Sequence, residues 1–157
     1  MALTADQAAF VTGGVSITAG SRDRRRVPSV MKACGVRVDA GLARVTLLLP
    51  APASQQLLAD IAATGEITAV FSRPSTHHTL QVKGSDAGET PLQPGDAALA
   101  AAHRDAFADD LVPLGYPRAW ALAIHEPVEL VAVTFTAQAV YAQTPGPGAG
   151  ARLEQPS

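Results

Sequence analysis

With 157 residues, 47% apolar side chains and a formal net charge of −2, the chain can bury a real core as one domain. It has no global attraction for phosphate backbones or anionic membranes. Aromatic residues make up 4%, too few for the stacking platforms that hold single-stranded nucleic acid, and no long apolar run marks a membrane span. Nucleic acid and membrane are therefore not expected as partners. Cys34 is the only cysteine, so no intrachain disulfide forms, and without a secretory signature the expected location is cytoplasmic.

After a short helical or loose lead-in, Val15, Ile17 and Ala19 alternate with Ser16 and Thr18, the two-residue period of a strand. Arg22 to Arg26 make a charged turn. A second strand is expected over Ser29 to Val38, with Gly35 as a bulge. Asp39 to Gly41 turn the chain into a third strand. Ala43, Val45, Leu47 and Leu49 form one of its faces; Arg44, Thr46 and Leu48 form the other. Pro50 and Pro52 end it. Ser54 is placed to cap a helix with the apolar stripe Leu57, Leu58, Ile61 and Ala62, and Gly65 stands at its stop. Ile67 to Gly84 read as a hairpin turning at Pro74 and Ser75. Asp96 is placed to cap a longer helix with Leu99, His103, Phe107 and Leu111 in one column, ended by Gly115 and Pro117. Val131, Val133 and Phe135 define a late strand, and Val140 to Gln143 another. Thr144 to Gly150 alternate Pro and Gly and bury nothing. Residues 1–143 are thus expected as a single domain and 144–157 as a tail. Short alternating strands joined by links too short for parallel crossovers predict a mainly β fold, an antiparallel closed sheet with helical insertions.

Common catalytic and cofactor signatures are absent: no GxGxxG, no GxxxxGK[ST] and no GxSxG. His77, His78, His103 and His125 form no HExxH pair, and no metal site is expected. On a strand, His78 would share the face of Leu80 and Val82 and point inward, while His77 would join Thr79, Gln81 and Lys83. His103 reads as a helix-face residue partly covering the core, and His125, before Glu126 and Pro127, as a turn residue. Cys34 reads as a packed thiol rather than a nucleophile. Arg22, Arg24, Arg25 and Arg26 read as a solvated turn; the alternative is a phosphate clamp of guanidinium forks.

The order of elements from Val15 to Gln143, and above all the hairpin text Ser-Arg-Pro-Ser-Thr-His-His-Thr-Leu-Gln-Val-Lys-Gly, resembles the FMN-binding split-barrel family that includes the pyridoxamine 5'-phosphate oxidases. That resemblance implies an antiparallel split β-barrel, a homodimer, and FMN held at the subunit interface. It implies a flavin-dependent oxidoreductase acting on a small-molecule substrate, with no catalytic side chain required. The Ser-Arg-Lys phosphate grip of the oxidases corresponds to Ser54-Gln55-Gln56 here, with both cations missing. The cofactor-binding candidates are accordingly Lys32, Arg44, Ser54, Gln55, His78 and Lys83. The Arg-rich C-terminal segment of the true oxidases is also missing, so pyridoxamine phosphate oxidation is not expected. The alternative is a non-enzymatic homodimeric barrel, binding or sensing a ligand, that has lost tight flavin binding.

Overall fold

The computed structural model describes residues 2–126 and 128–154. Pro127, in the turn expected after His125, and the last three residues of the expected tail lie outside them. A first helix, α1 (Ala5–Val11), opens on a capping box: Gln7 N donates to Thr4 Oγ1 at 3.1 Å, and Thr4 N donates to Gln7 Oε1 at 2.9 Å. The strands are β1 (Ser16–Arg22), β2 (Pro28–Lys32), β3 (Gly35–Val38) and β4 (Arg44–Pro50). Next come α2 (Gln55–Thr64), β5 (Ile67–Ser72), β6 (Thr79–Gly84) and β7 (Gly88–Thr90). The chain continues through α3 (Asp96–Leu111), α4 (Arg118–Ala123), β8 (Leu130–Thr136), β9 (Ala139–Ala142) and β10 (Arg152–Leu153).

The strands form a six-stranded sheet, β10-β9-β6-β5-β1-β2, and a four-stranded sheet, β3-β4-β8-β7. Every pairing is antiparallel. One core lies between them. Ile17, Ala19, Phe71 and Val82 come from one sheet; Val45, Leu47, Val133 and Phe135 come from the other. These are the inward positions of the two-residue period; burial alternates along β5, whereas in β4 and β8 the opposite face is covered as well. The fold is the expected mainly β, antiparallel split barrel with helical insertions. No helix among the described residues is long and apolar enough to cross a membrane.

Five expectations are corrected. The strand expected over Ser29 to Val38 is two strands in different sheets. Ala33 N still bonds Ile17 O at 3.0 Å, while Cys34 N already bonds Leu48 O at 2.7 Å. Gly35 is not a bulge: a Cβ there would come within 2.9 Å of Leu99 Cδ2, so the glycine lets α3 close onto β3. His77 and His78 lie in the hairpin turn, not on β6; His77 adopts a left-handed φ of 59°. The strand-face assignment of the pair therefore lapses. Ser54 precedes α2 but its side chain makes no capping bond, and Gly95 rather than Asp96 is the residue before α3. Part of the Pro/Gly tail also folds back, pairing Arg152 with Tyr141 and Leu153 with Val140.

Candidate functional site

Where the chain passes from β2 to β3, the outer surface is roofed by α3 and α4. Beneath the roof lies a cavity of 140 Å³, walled by Cys34, Ala100, Ala101, Arg104, His125 and Leu130 among others. Its wall is mostly apolar because α3 presents Ala97, Ala100 and Ala101 to it, a helical stripe of methyl groups ending in Arg104.

Two cations flank this space. Arg104 Nε donates to Leu122 O at 2.8 Å, which leaves the terminal nitrogens of its fork uncommitted. Lys32 Nζ donates to Ser16 Oγ at 2.6 Å. Although Lys32 as a residue is exposed, crowding by protein holds its ammonium below the usual lysine pKa. His103 and His125 sit with ring centroids 6.1 Å apart, and Phe107 meets His125 edge-on at 5.3 Å. Burial, then the charge of His125, brings His103 down to about 4. Burial lowers His125 as well, followed by the charges of Lys32 and Arg104. Near neutral pH the imidazoles are therefore uncharged, and the charges about the cavity are those of Arg104 and Glu126 in its wall and of Lys32 near His125. His103 Nε2 is buried without a partner.

Cys34 lies in this wall, 8% exposed, and burial pushes its thiol pKa up. Slow reaction with thiol reagents in native protein is expected, because the thiolate is the reactive species. Rapid labelling of folded protein at neutral pH would show that the roof does not close over β3.

The six sequence-derived candidates do not meet at one point. Lys32 ends β2, and Ser54 and Gln55 lie at the start of α2, a helix packed on that strand. Ser29 Oγ donates to Asp60 Oδ2 at 2.5 Å, which fixes α2 against β2. From Asp60 back to Ser54 the helix climbs about 9 Å, and from Ser29 to Lys32 the strand advances about 10 Å. The start of α2 therefore lies level with Lys32. The amide of Ala51 bonds Glu129 O at 2.8 Å, beside the cavity residue Leu130. Ser54 is fully buried and its hydroxyl has no partner, whereas Gln55 is exposed. Arg44 stands opposite Thr136, about 20 Å down β4 from Pro50. Lys83 lies over the Tyr141 ring at 5.1 Å, toward that same far end. His78 is at the hairpin tip, edge-on to Phe10 at 4.4 Å and 3.1 Å from Thr144 Oγ1 through Nδ1.

Arg104 and His125 were not singled out from sequence as binding residues. The usable signal was the spacing of Ala97, Ala100, Ala101 and Arg104, a small-residue stripe with a cation at its end.

No protein-family model matches the chain, and no curated protein is similar to it in sequence. Solved structures do share its fold. HupZ of Group A Streptococcus superposes with a TM-score of 0.56 at 13% identity, over 95% of this chain and 99% of that one. A putative pyridoxamine 5'-phosphate oxidase from Lactobacillus delbrueckii gives 0.55 at 13% identity, over 90% and 94%. An F420 reductase gives 0.51 at 15% identity, over 84% and 93%. At such identities the likeness is one of fold, and it agrees with the split barrel that the hairpin text suggests.

Proposed function

We propose that the protein binds a flavin, FMN by preference, at the corner formed by Lys32, the start of α2 and the cavity under α3 and α4. There it acts as a flavin-dependent oxidoreductase on a small molecule. The observation that carries this reading is an apolar cavity with Lys32 and Arg104 beside it on a fold shared with a putative pyridoxamine 5'-phosphate oxidase and an F420 reductase.

The donor set fits an apolar ring bearing an anionic arm. Ser54 does not cap α2, so the first amides of that helix lack side-chain partners among the described residues. The enclosed space of 140 Å³ is smaller than the ~300–1,000 Å³ usual for ligand pockets. A ring seated here therefore needs another wall, and a second copy of the chain supplies one, which is why we propose a homodimer.

When bound, the flavin supplies the electron or hydride transfer. The chain's part is positional. Lys32, Gln55 and the α2 amides would hold the phosphate, with the buried Ser54 behind them. Cys34, Ala100, Ala101 and Leu130 exclude water, and Arg104 fixes the anionic edge. His125 enters neutral, offering a hydrogen bond without charge. His78 and Lys83 lie away from this corner, so His78→Ala and Lys83→Ala read out whether a second copy lends them. A second reading, a non-enzymatic barrel without a tight flavin, draws on the lack of any cation in Ala53-Ser54-Gln55-Gln56.

Lys32→Ala is expected to weaken FMN about tenfold or more, the worth of one charge-assisted hydrogen bond. Arg25→Ala, which removes the same charge from the distant turn, should leave affinity unchanged. Flavin fluorescence titration beside thermal unfolding of each variant makes the comparison. Equal affinity in Lys32→Ala, or a monomer mass by light scattering at micromolar protein, would count against this site.

A further inference from the structure

The outer face of the four-stranded sheet carries a second concavity, toward the end of β4 away from the α2 corner. This cleft of 450 Å³ is walled by Arg37, Arg44, Thr46, Thr90, Thr134 and Leu92 among others, and its size lies within the usual range for small-molecule sites.

Its hydroxyls form a row. Thr46 Oγ1 lies 2.8 Å from Thr134 Oγ1, which lies 2.8 Å from Thr90 Oγ1. Three hydroxyls carry three hydrogens, and two bonds use two of them, so one hydrogen is left to give. Thr46 and Thr134 are 3% and 8% exposed. Valine would fit the same strand positions without burying a hydroxyl, so the row marks a polar floor rather than packing alone.

Its cations are also underused. Arg44 is exposed and makes no salt bridge among the described residues. Arg37 uses Nε alone, donating to Asp96 Oδ1 at 3.0 Å. The neighbouring carboxylates are already engaged. Asp39 Oδ1 accepts from Ala43 N and Arg44 N, and Asp96 Oδ2 accepts from Gln93 N. Asp86 accepts from both the amide and the hydroxyl of Thr136. Opposite the charged end, Pro91, Pro94 and Leu92 make an apolar wall, and Leu92 is 48% exposed.

We propose that this cleft binds a small organic carboxylate with an apolar body. Arg44 and the spare threonine hydrogen take the carboxylate, and the Leu92 wall takes the body. Asp39 in the wall, Asp96 on Arg37 and Asp86 near Arg44 already offset much of the positive charge, so a singly charged anion is repelled less here than a phosphate dianion.

Backbone-amide NMR titration with benzoate as the probe, beside acetate and inorganic phosphate, tests this. Benzoate should give saturable shifts at the amides of residues 44, 46, 90, 92, 93 and 134. Acetate, lacking the body, and phosphate should bind more weakly. Arg44→Gln should weaken benzoate about tenfold or more, and Leu92→Ser, at a half-exposed position of the apolar wall, should weaken it with little change in melting temperature. No saturable shift with benzoate, shifts centred on the cavity under α3 and α4, tighter binding of phosphate, or unchanged affinity in both variants would each overturn the proposal. The readout does not involve flavin, so it stands or falls apart from the flavin site.

Discussion

Replacing Phe135 with alanine is expected to cost about 3–5 kcal/mol of unfolding free energy, the range for deleting a buried aromatic ring. Phe135 is fully buried on β8, opposite Val45, in the core between the two sheets. Its ring also touches the other sheet closely: a Cβ on Gly84 would come within 2.7 Å of Phe135 Cδ2. Neighbouring strands cannot collapse into the space left behind, because β4 and β7 hold β8 in register from both sides. A loss of this size is a large part of the ~5–15 kcal/mol that keeps a domain folded. Chemical denaturation of the variant measures it. A loss below about 1 kcal/mol would mean that the two sheets do not share one core.

Acid is expected to weaken the fold between pH 6.5 and about 4 through His103. In the folded state its imidazole stays neutral down to about 4, whereas its ordinary value is 6.5. The unfolded chain therefore takes up the proton first, so stability is fully present above 6.5 and falls as the pH drops. The difference is worth roughly 3 kcal/mol at the bottom of the window. The neighbouring His125, when charged, adds to the cost of a positive charge on His103. His103→Gln should flatten the slope of stability against pH, most cleanly above pH 5, before carboxylates begin to titrate. An unchanged slope in that variant would contradict the burial of His103. The roof that His103 and His125 underlie has its own small core of Phe107, Ala108, Leu111 and Ala121.

The hairpin from Ile67 to Gly84 was legible because its alternation continues through six residue pairs, from Ile67–Gly84 to Ser72–Thr79. The two faces of β4 were legible for the same reason. The switch between sheets at Ala33 and Cys34 was not, since an extended backbone keeps its two-residue period while its hydrogen bonds change partner. His77 was misplaced because a non-glycine residue with a left-handed φ leaves no mark in composition. The helix α4 has six residues, too few to display a helical period. The site was half-legible. Lys32, Ser54 and Gln55, read from the sequence, share the proposed corner through the packing of α2 on β2 that the Ser29–Asp60 bond fixes. Arg104 and His125 arrive from elements far along the chain, and only the docking of α3 onto Gly35 brings them there.

Titration of FMN with the unmodified protein, followed by quenching of flavin fluorescence, tests the central claim most directly. Saturable quenching with one flavin per subunit is the result the Lys32 corner predicts. No quenching at millimolar flavin would contradict it and leave the barrel as a binding module for another ligand.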